Sequence, residues 1–209
     1  MANAFLRADS RIGYCTIANP DAHMSSPSNW SAEQQRWSSF YADRMALQLR
    51  QVLAFVSARR ENPDTLRSHF ESCLALMEAA SDRDDLSSLW LELVDALHPL
   101  PLRWGFWSPW LDVLGQAADK AAGLDRPALR ARFLAHMAAL FLETAHPDAA
   151  LEKACEALDQ AGKAADGYSL ALAGSRAAGA LIGLGRYEEA KKMLLDIRRQ
   201  FDSLSASSM

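Results

Sequence analysis

Ala177-Ala178-Gly179-Ala180-Leu181-Ile182-Gly183-Leu184-Gly185-Arg186-Tyr187-Glu188-Glu189-Ala190-Lys191-Lys192-Met193-Leu194 is the stretch that decides the fold. It reads as a helix of small residues, a stop, and a second helix. Gly185 supplies the stop, because glycine takes the left-handed backbone that ends a helix without a Cβ penalty. Ala178 and Ala190 keep the two facing surfaces thin, so the helix axes can approach to roughly 8–10 Å. Outward from this hairpin the apolar positions recur every 40 residues. Phe70, Trp110, Ala150 and Ala190 share one phase, Leu74, Leu114, Ala154 and Leu194 a second, and Met77, Ala117, Ala157 and Ile197 a third. A period of this length, filled by two helical patterns, is the signature of a solenoid of stacked helical hairpins.

The rest of the chain carries the punctuation such a fold needs. Ser31-x-x-Gln34 is a capping box, opening a helix whose stripe is Trp37, Phe40, Tyr41, Met45, Leu49, Val52, Leu53 and Val56. Asn62-Pro63 opens a helix through Leu66, Phe70, Leu74 and Met77, and Asp82 is the next cap. Leu86, Leu89, Trp90, Leu93, Val94 and Leu97 follow at helical spacing, and Pro99 and Pro101 are expected to end that helix. Later helices are expected from Gly105 to Gly123, from Pro127, from Pro147, from Tyr168 to Leu184 and from Arg186 to Phe201. No stretch alternates with a period of two between hairpin turns, so the chain reads as all-α: an α-α superhelix of about four stacked antiparallel hairpins. Residues 1–28 read as an irregular N-terminal segment, 29–202 as the repeat domain and 203–209 as a flexible serine-rich tail.

Composition narrows the function classes. The formal net charge is -4 and the pI about 5.7, which argues against a nucleic-acid or anionic-membrane surface. The basic cluster Lys191, Lys192, Arg198 and Arg199 shares its helix with Glu188, Glu189 and Asp196, and reads as a solvated face. Cys15, Cys73 and Cys155 form no CxxC, so neither a disulfide framework nor a zinc site is expected. Cys73 and Cys155 fall in helical patterns as small core or near-core residues. No apolar run is long enough to span a membrane and no signal pattern opens the chain, so a cytoplasmic location is expected. Asn29-Trp30-Ser31 matches a glycosylation sequon by chance.

The fourth unit, with its small residues, Gly185, Tyr187 and Ala190, resembles the tetratricopeptide repeat (TPR). The third unit repeats the pattern at Leu134, Met137, Ala138, Phe141, Ala150 and Ala157, but Ala145 and Pro147 replace the turn glycine and the aromatic. The second keeps Gly105 and Trp107 and places Trp110 where alanine is usual; the first is marked only by Phe70, Leu74 and Met77. Tetratricopeptide units run about 34 residues, so the 40-residue spacing implies longer helices or connections. Residues 31–200 also resemble the C-terminal repeat arm of bacterial signalling ATPases of the STAND class. That likeness rests on Arg36-Trp37, Phe40-Tyr41, Arg67-Ser68-His69-Phe70, Arg103-Trp104-Gly105-Phe106-Trp107 and Trp110-Leu111. The phosphate-binding loop of such ATPases, GxxxxGK[ST], is absent, so the resemblance implies an arm without its motor.

Candidate chemistry is sparse. His23, His69, His98, His136 and His146 make no HxxxH or HExxH, and there is no GxSxG or GxGxxG. No catalytic residue, metal or cofactor is therefore expected. Asp82, Asp84 and Asp85 read as helix-start acids favoured by the macrodipole. Trp90 and Trp110 sit in apolar registers and belong to the core; Trp104 and Trp107 stand near a turn, leaving core and exposed hot spot both open. In tetratricopeptide-like arrays the first helix of each pair faces the groove. With the fourth unit starting at Ala171, that implies a partner-binding concave face of Glu92, Asp95, Arg103, Arg132, His136, Glu143 and Arg176. The competing reading is ordinary solvated helix faces, and for His136 a satisfied or surface histidine. The lysine and asparagine set of the carboxylate-clamp subgroup is missing from these positions.

The expected function is a non-enzymatic protein- or peptide-binding module in regulation or complex assembly. The alternative is a sensor domain holding a small molecule or short peptide in the groove. Self-association through the terminal hairpins is the other expected contact, with Leu194, Leu195 and Ile197 of the last helix as the residues to watch.

Overall fold

The computed structural model describes residues 32–59 and 62–207. The expected irregular segment 1–28, the sequon, Ser31 of the capping box and Cys15 lie outside the described residues. Contacts divide the chain into one unit of residues 1–39 and a second of 40–209. Of the first, the described part is the opening of one helix. The second is built entirely of helices and turns among its described residues.

Ten α-helices are described: α1 (Ala32–Ala58), α2 (Pro63–Arg67), α3 (Phe70–Ala80), α4 (Ser87–Leu97), α5 (Pro99–Trp104), α6 (Trp107–Gly123), α7 (Pro127–Glu143), α8 (Pro147–Ala164), α9 (Gly167–Gly183) and α10 (Tyr187–Ser207). The all-α class read from the sequence is the fold observed, but its first half is more broken than expected. The single helix foreseen after Pro63 divides at Ser68 and His69 into α2 and α3. A 3-10 turn at Asp84–Leu86 precedes α4, with Arg83 extended before it and its guanidinium paired with Asp85 at 2.9 Å. α4 ends at Leu97, just before Pro99, as expected, but a short helix, α5, follows directly. Pro99 stands at the first position of α5, where its missing N–H costs nothing, and Gly105 ends that helix at φ 78°. At the far end α10 runs on to Ser207, so the serine-rich stretch from 203 continues the helix instead of leaving it.

From α5 onward the backbone is regular. Gly105, Asp125, Ala145, Ala165 and Gly185 have positive φ, one every 20 residues. All five turns close in the same way. The N–H of Phe106, Arg126, His146, Asp166 and Arg186 donates to the carbonyl of Pro101, Ala121, Phe141, Ala161 and Leu181, respectively. That is the six-to-one bond of the Schellman motif, which satisfies a carbonyl left open by the ending helix. Asp125, Ala145 and Ala165 lack glycine's freedom and sit in the left-handed region regardless, at a cost of roughly 1–2 kcal/mol each. Pro127 and Pro147 then restart the chain at the first helical position, and Asp166 caps α9 by accepting from the Ser169 amide at 3.0 Å.

Neighbours in sequence are neighbours in space: α6 packs on α7, α7 on α8, α8 on α9 and α9 on α10, and α7 also touches α9. The 40-residue phases explain this. Phe70, Trp110, Ala150 and Ala190 are all buried, as are Met77, Ala117, Ala157 and Ile197. Leu114 and Ala154 are buried too, whereas Leu194, on the last helix, is 46% exposed. The core changes character along the chain. Phe70 packs against Trp104, Phe106 and Trp110 with ring centroids 5.1, 5.5 and 6.1 Å away. Trp104 and Trp107 are thus half-buried supports of the core, Trp107 donating to the Leu102 carbonyl at 3.2 Å. The C-terminal half is lined instead by Ala138, Ala150, Ala154, Ala177 and Ala180, whose small side chains let the backbones close up. Gly174 carries this furthest: a Cβ there would stand 1.9 Å from Ile197 Cδ1.

Two expectations fail in detail. The α1 stripe is buried only from Met45 onward; Trp37, Phe40 and Tyr41 are exposed. Cys155 is exposed, because it stands beside buried Ala154 and turns out of the α8 interface, while Cys73 is buried as expected. Burial raises the Cys73 thiol above its ordinary value, leaving it inert.

Candidate functional site

The residues foreseen for the groove fall into two groups. Asp95 on α4, Arg132 and His136 on α7 and Arg176 on α9 come together. Glu92, Arg103 and Glu143 are exposed and make no hydrogen bond or ion pair among the described residues. The assembly follows from helical spacing. Asp95 on α4 and His98, the helical residue that caps its end, are three positions apart, and Arg132 and His136 are four apart on α7, so each pair shares a helix face. α7 touches both α4 and α9, which brings the three faces into one cluster.

Arg132 donates to Asp95 Oδ2 at 2.6 Å, with each side chain about a quarter exposed. The rings of His98 and His136 stack, centroids 3.3 Å apart and planes inclined by 16°. Trp110 Nε1 donates to His98 Nδ1 at 3.3 Å, which fixes the proton of a neutral His98 on Nε2. His98 and His136 are 6% and 8% exposed. Burial, then the nearby Arg176 charge, pushes His98 down to about 3. Burial holds His136 well below the ordinary histidine value, helped by His98, Arg176 and Arg132. Both rings are therefore neutral at pH 7, which is what permits them to stack.

His98 was passed over in the sequence reading of the groove, and it is the hinge of the cluster. The available signal was the Asp95-x-x-His98 spacing on an apolar helix, together with the placement of Trp110 one buried register away.

The cluster is rich in buried polar atoms that find no partner among the described residues. Arg132 Nε, Arg176 Nε and His136 Nδ1 are buried without a hydrogen-bond partner among the described residues, as is Arg130 Nε nearer the start of α7. Such atoms are rare in native interiors, and each left unmet costs about 1–3 kcal/mol. The arrangement suits recognition better than proton transfer: a histidine at about 3 is too weak a base to work near neutral pH. No group of three or more His, Cys, Asp or Glu that could hold a metal ion occurs among the described residues.

Two other surfaces have shape. A groove of about 640 Å³ lies between α8 and α10, lined by Leu151, Cys155, Leu158, Met193 and Ile197 with charged residues at its rim. An almost wholly apolar hollow on the outer side of α10 is formed by Ile182, Tyr187, Leu194 and Leu195. No described helix is long and apolar enough to cross a membrane. Comparison of the chain with family models, with curated proteins and with solved structures finds no match in any of the three.

Proposed function

We propose that this chain is a TPR-like helical-repeat module that binds a protein or peptide segment along the face shared by its first helices, α7 and α9, without catalysing a reaction on it. The observation that carries the reading is the left-handed residue at every twentieth position from Gly105 to Gly185, with α7 packed on α9 across the intervening helix. Equal spacing of turns makes successive hairpins equivalent, and equivalent hairpins stack with a constant rotation into a curved array that offers a continuous surface. The polar cluster of Asp95, Arg132, His136 and Arg176 lies on that layer and gives it selectivity. The likeness of the chain's aromatic and arginine motifs to signalling-ATPase arms supports a regulatory setting.

Selection of a displayed random-peptide library on the full chain tests this. The counter-target is the R132A/H136A/R176A variant, its fold checked by circular dichroism. Selected peptides are expected to bind the parent chain saturably and to weaken at least about tenfold on the variant, the equivalent of ~1.4 kcal/mol. If no selected peptide gives a saturable isotherm, or all bind the variant equally, the face is not a peptide surface. The small-molecule sensor then becomes the better account.

A further inference from the structure

We infer that a third hollow, at the opening of α7, is a binding site for a phosphate monoester group held by Arg126, Arg130 and Lys163. It shares no residue with the polar cluster of α4, α7 and α9, so it is tested apart from the peptide reading of that face.

The first observation is a cavity with cations on its wall. The hollow, of about 630 Å³, lies where the ends of α6 and α8 meet the start of α7, and its size is that of a small-molecule site. Arg126, Arg130, Gln160 and Lys163 line it, and Asp125 is the one acid among its lining residues. Lys163 pairs with Asp159 at 2.7 Å, with both side chains more than half exposed, a contact that water screens and an incoming anion can share. The two arginines have no carboxylate partner among the described residues. Arg126 Nη1 donates to Ser88 Oγ at 3.0 Å, which steadies that side chain without neutralising it. The Arg130 side chain makes no hydrogen bond among the described residues. Its Nε is buried, which packs the stem in place and leaves the two terminal nitrogens for a ligand in the hollow.

The second observation is where these cations stand. A helix N-terminus is the positive end of the backbone dipole, so cations are disfavoured there and anions favoured. α7 opens with Arg126 at its cap and Arg130 in its first turn, with no acid in that turn and no side chain capping its free amides. Helix-end chemistry accounts for Lys163, in the last turn of α8, but it opposes both arginines. A bound anion removes the conflict, because both guanidiniums and the helix opening attract it. A phosphate monoester brings up to two negative charges and three acceptor oxygens, a match for two forked donors and one point charge. A carboxylate, with one charge and two oxygens, would leave a cation unmet. The hollow is far larger than a phosphate group, so the group carries an organic body, for which Gln160 and Pro127 supply a polar and an apolar wall.

Nitrogen-detected NMR of the arginine Nε–Hε groups in the full chain tests the site at neutral pH. Sodium phosphate, ribose 5-phosphate, ribose, sodium acetate and the peptide acetyl-Gly-phosphoserine-Gly-amide are titrated against chloride at constant ionic strength. The Arg126 and Arg130 signals are expected to shift saturably with phosphate, and at least about tenfold more tightly with one of the two esters, but not with ribose or chloride. R130Q should abolish the saturable shift of Arg126. R130K, which keeps the charge and loses the fork, should weaken it by about tenfold and serves if R130Q does not fold. K163E, at an exposed position, should weaken it by about tenfold with the fold intact. Ribose 5-phosphate binding more tightly than the phosphopeptide identifies a free phosphorylated small molecule as the source, and the reverse order a phosphorylated protein; the phosphate site stands in both. Shifts that never saturate, acetate binding as tightly as phosphate, inorganic phosphate binding more tightly than both esters, or binding unchanged in R130K and K163E would each overturn the assignment.

Discussion

Mild acid should unfold this protein through one pair of side chains. His98 is neutral in an ordinary unfolded chain above pH 6.5, and neutral in the folded state down to about 3. Above 6.5 its contribution to stability is therefore complete. Below 6.5 the unfolded chain takes up a proton that the folded chain refuses, and stability falls by about 1.4 kcal/mol per pH unit until the folded His98 itself protonates near 3. Between pH 6.5 and 5.0 the loss from His98 alone is about 2 kcal/mol. His136 is shifted the same way and adds to it. The carboxylates held low by ion pairs, Asp85 and Glu189, start from ordinary values of 3.8 and 4.5, so their losses come at lower pH. The window above pH 5 belongs to the histidines. The assay is urea unfolding followed by far-UV circular dichroism at pH 7.0, 6.0 and 5.0, on the parent chain and on H98N, whose amide oxygen can still accept from Trp110 Nε1. The parent should lose about 2 kcal/mol more than H98N between pH 7.0 and 5.0, with the denaturant slope unchanged. Parallel loss in the two proteins, or a parent whose midpoint does not move, would refute a buried neutral pair.

Two packing predictions can be checked by the same melts at pH 7. Trp110→Ala should cost roughly 3–5 kcal/mol, since the indole is 1% exposed, packs on Phe70 and supplies the donor to His98; a near-neutral result would show that the register is wrong. Gly174→Ala should cost about 1–3 kcal/mol through its collision with Ile197, and adding Ile197→Val, which removes the nearest atom, should recover part of the loss; an equal loss in both chains would mean that α9 and α10 relax apart instead.

The helix starts were legible because their signals are local. Proline at the first position of α7 and α8, and Asp166 before α9, act through the backbone within one turn and need no tertiary partner. The two phases buried throughout, Phe70 to Ala190 and Met77 to Ile197, were legible because burial of one helix face imposes a period that chance composition does not. What misled was equally local. Pro99 marked the end of α4 at Leu97, but a proline cannot show by itself that a new helix starts on it; the buried Leu100 and Pro101 hold α5 in place. Trp37, Phe40 and Tyr41 matched the α1 stripe in spacing, yet spacing cannot say where along a helix its packing partner begins.

The helical class, the positions of most helix starts and the 40-residue burial register can be read from the residues alone, because interactions spanning a few residues or one repeating face set them. Tertiary structure alone decided the rest. Ala145 and Ala165 take left-handed turns that their own side chains oppose, because the helices on either side are already docked and the chain must reverse between them. His98 became part of the site only when α4, α6 and α7 met: its stacking partner is 38 positions away along the chain, and the Trp110 donor that fixes its tautomer stands on a third helix. Contacts over such separations depend on packing angles between helices, and no local pattern of residues encodes those.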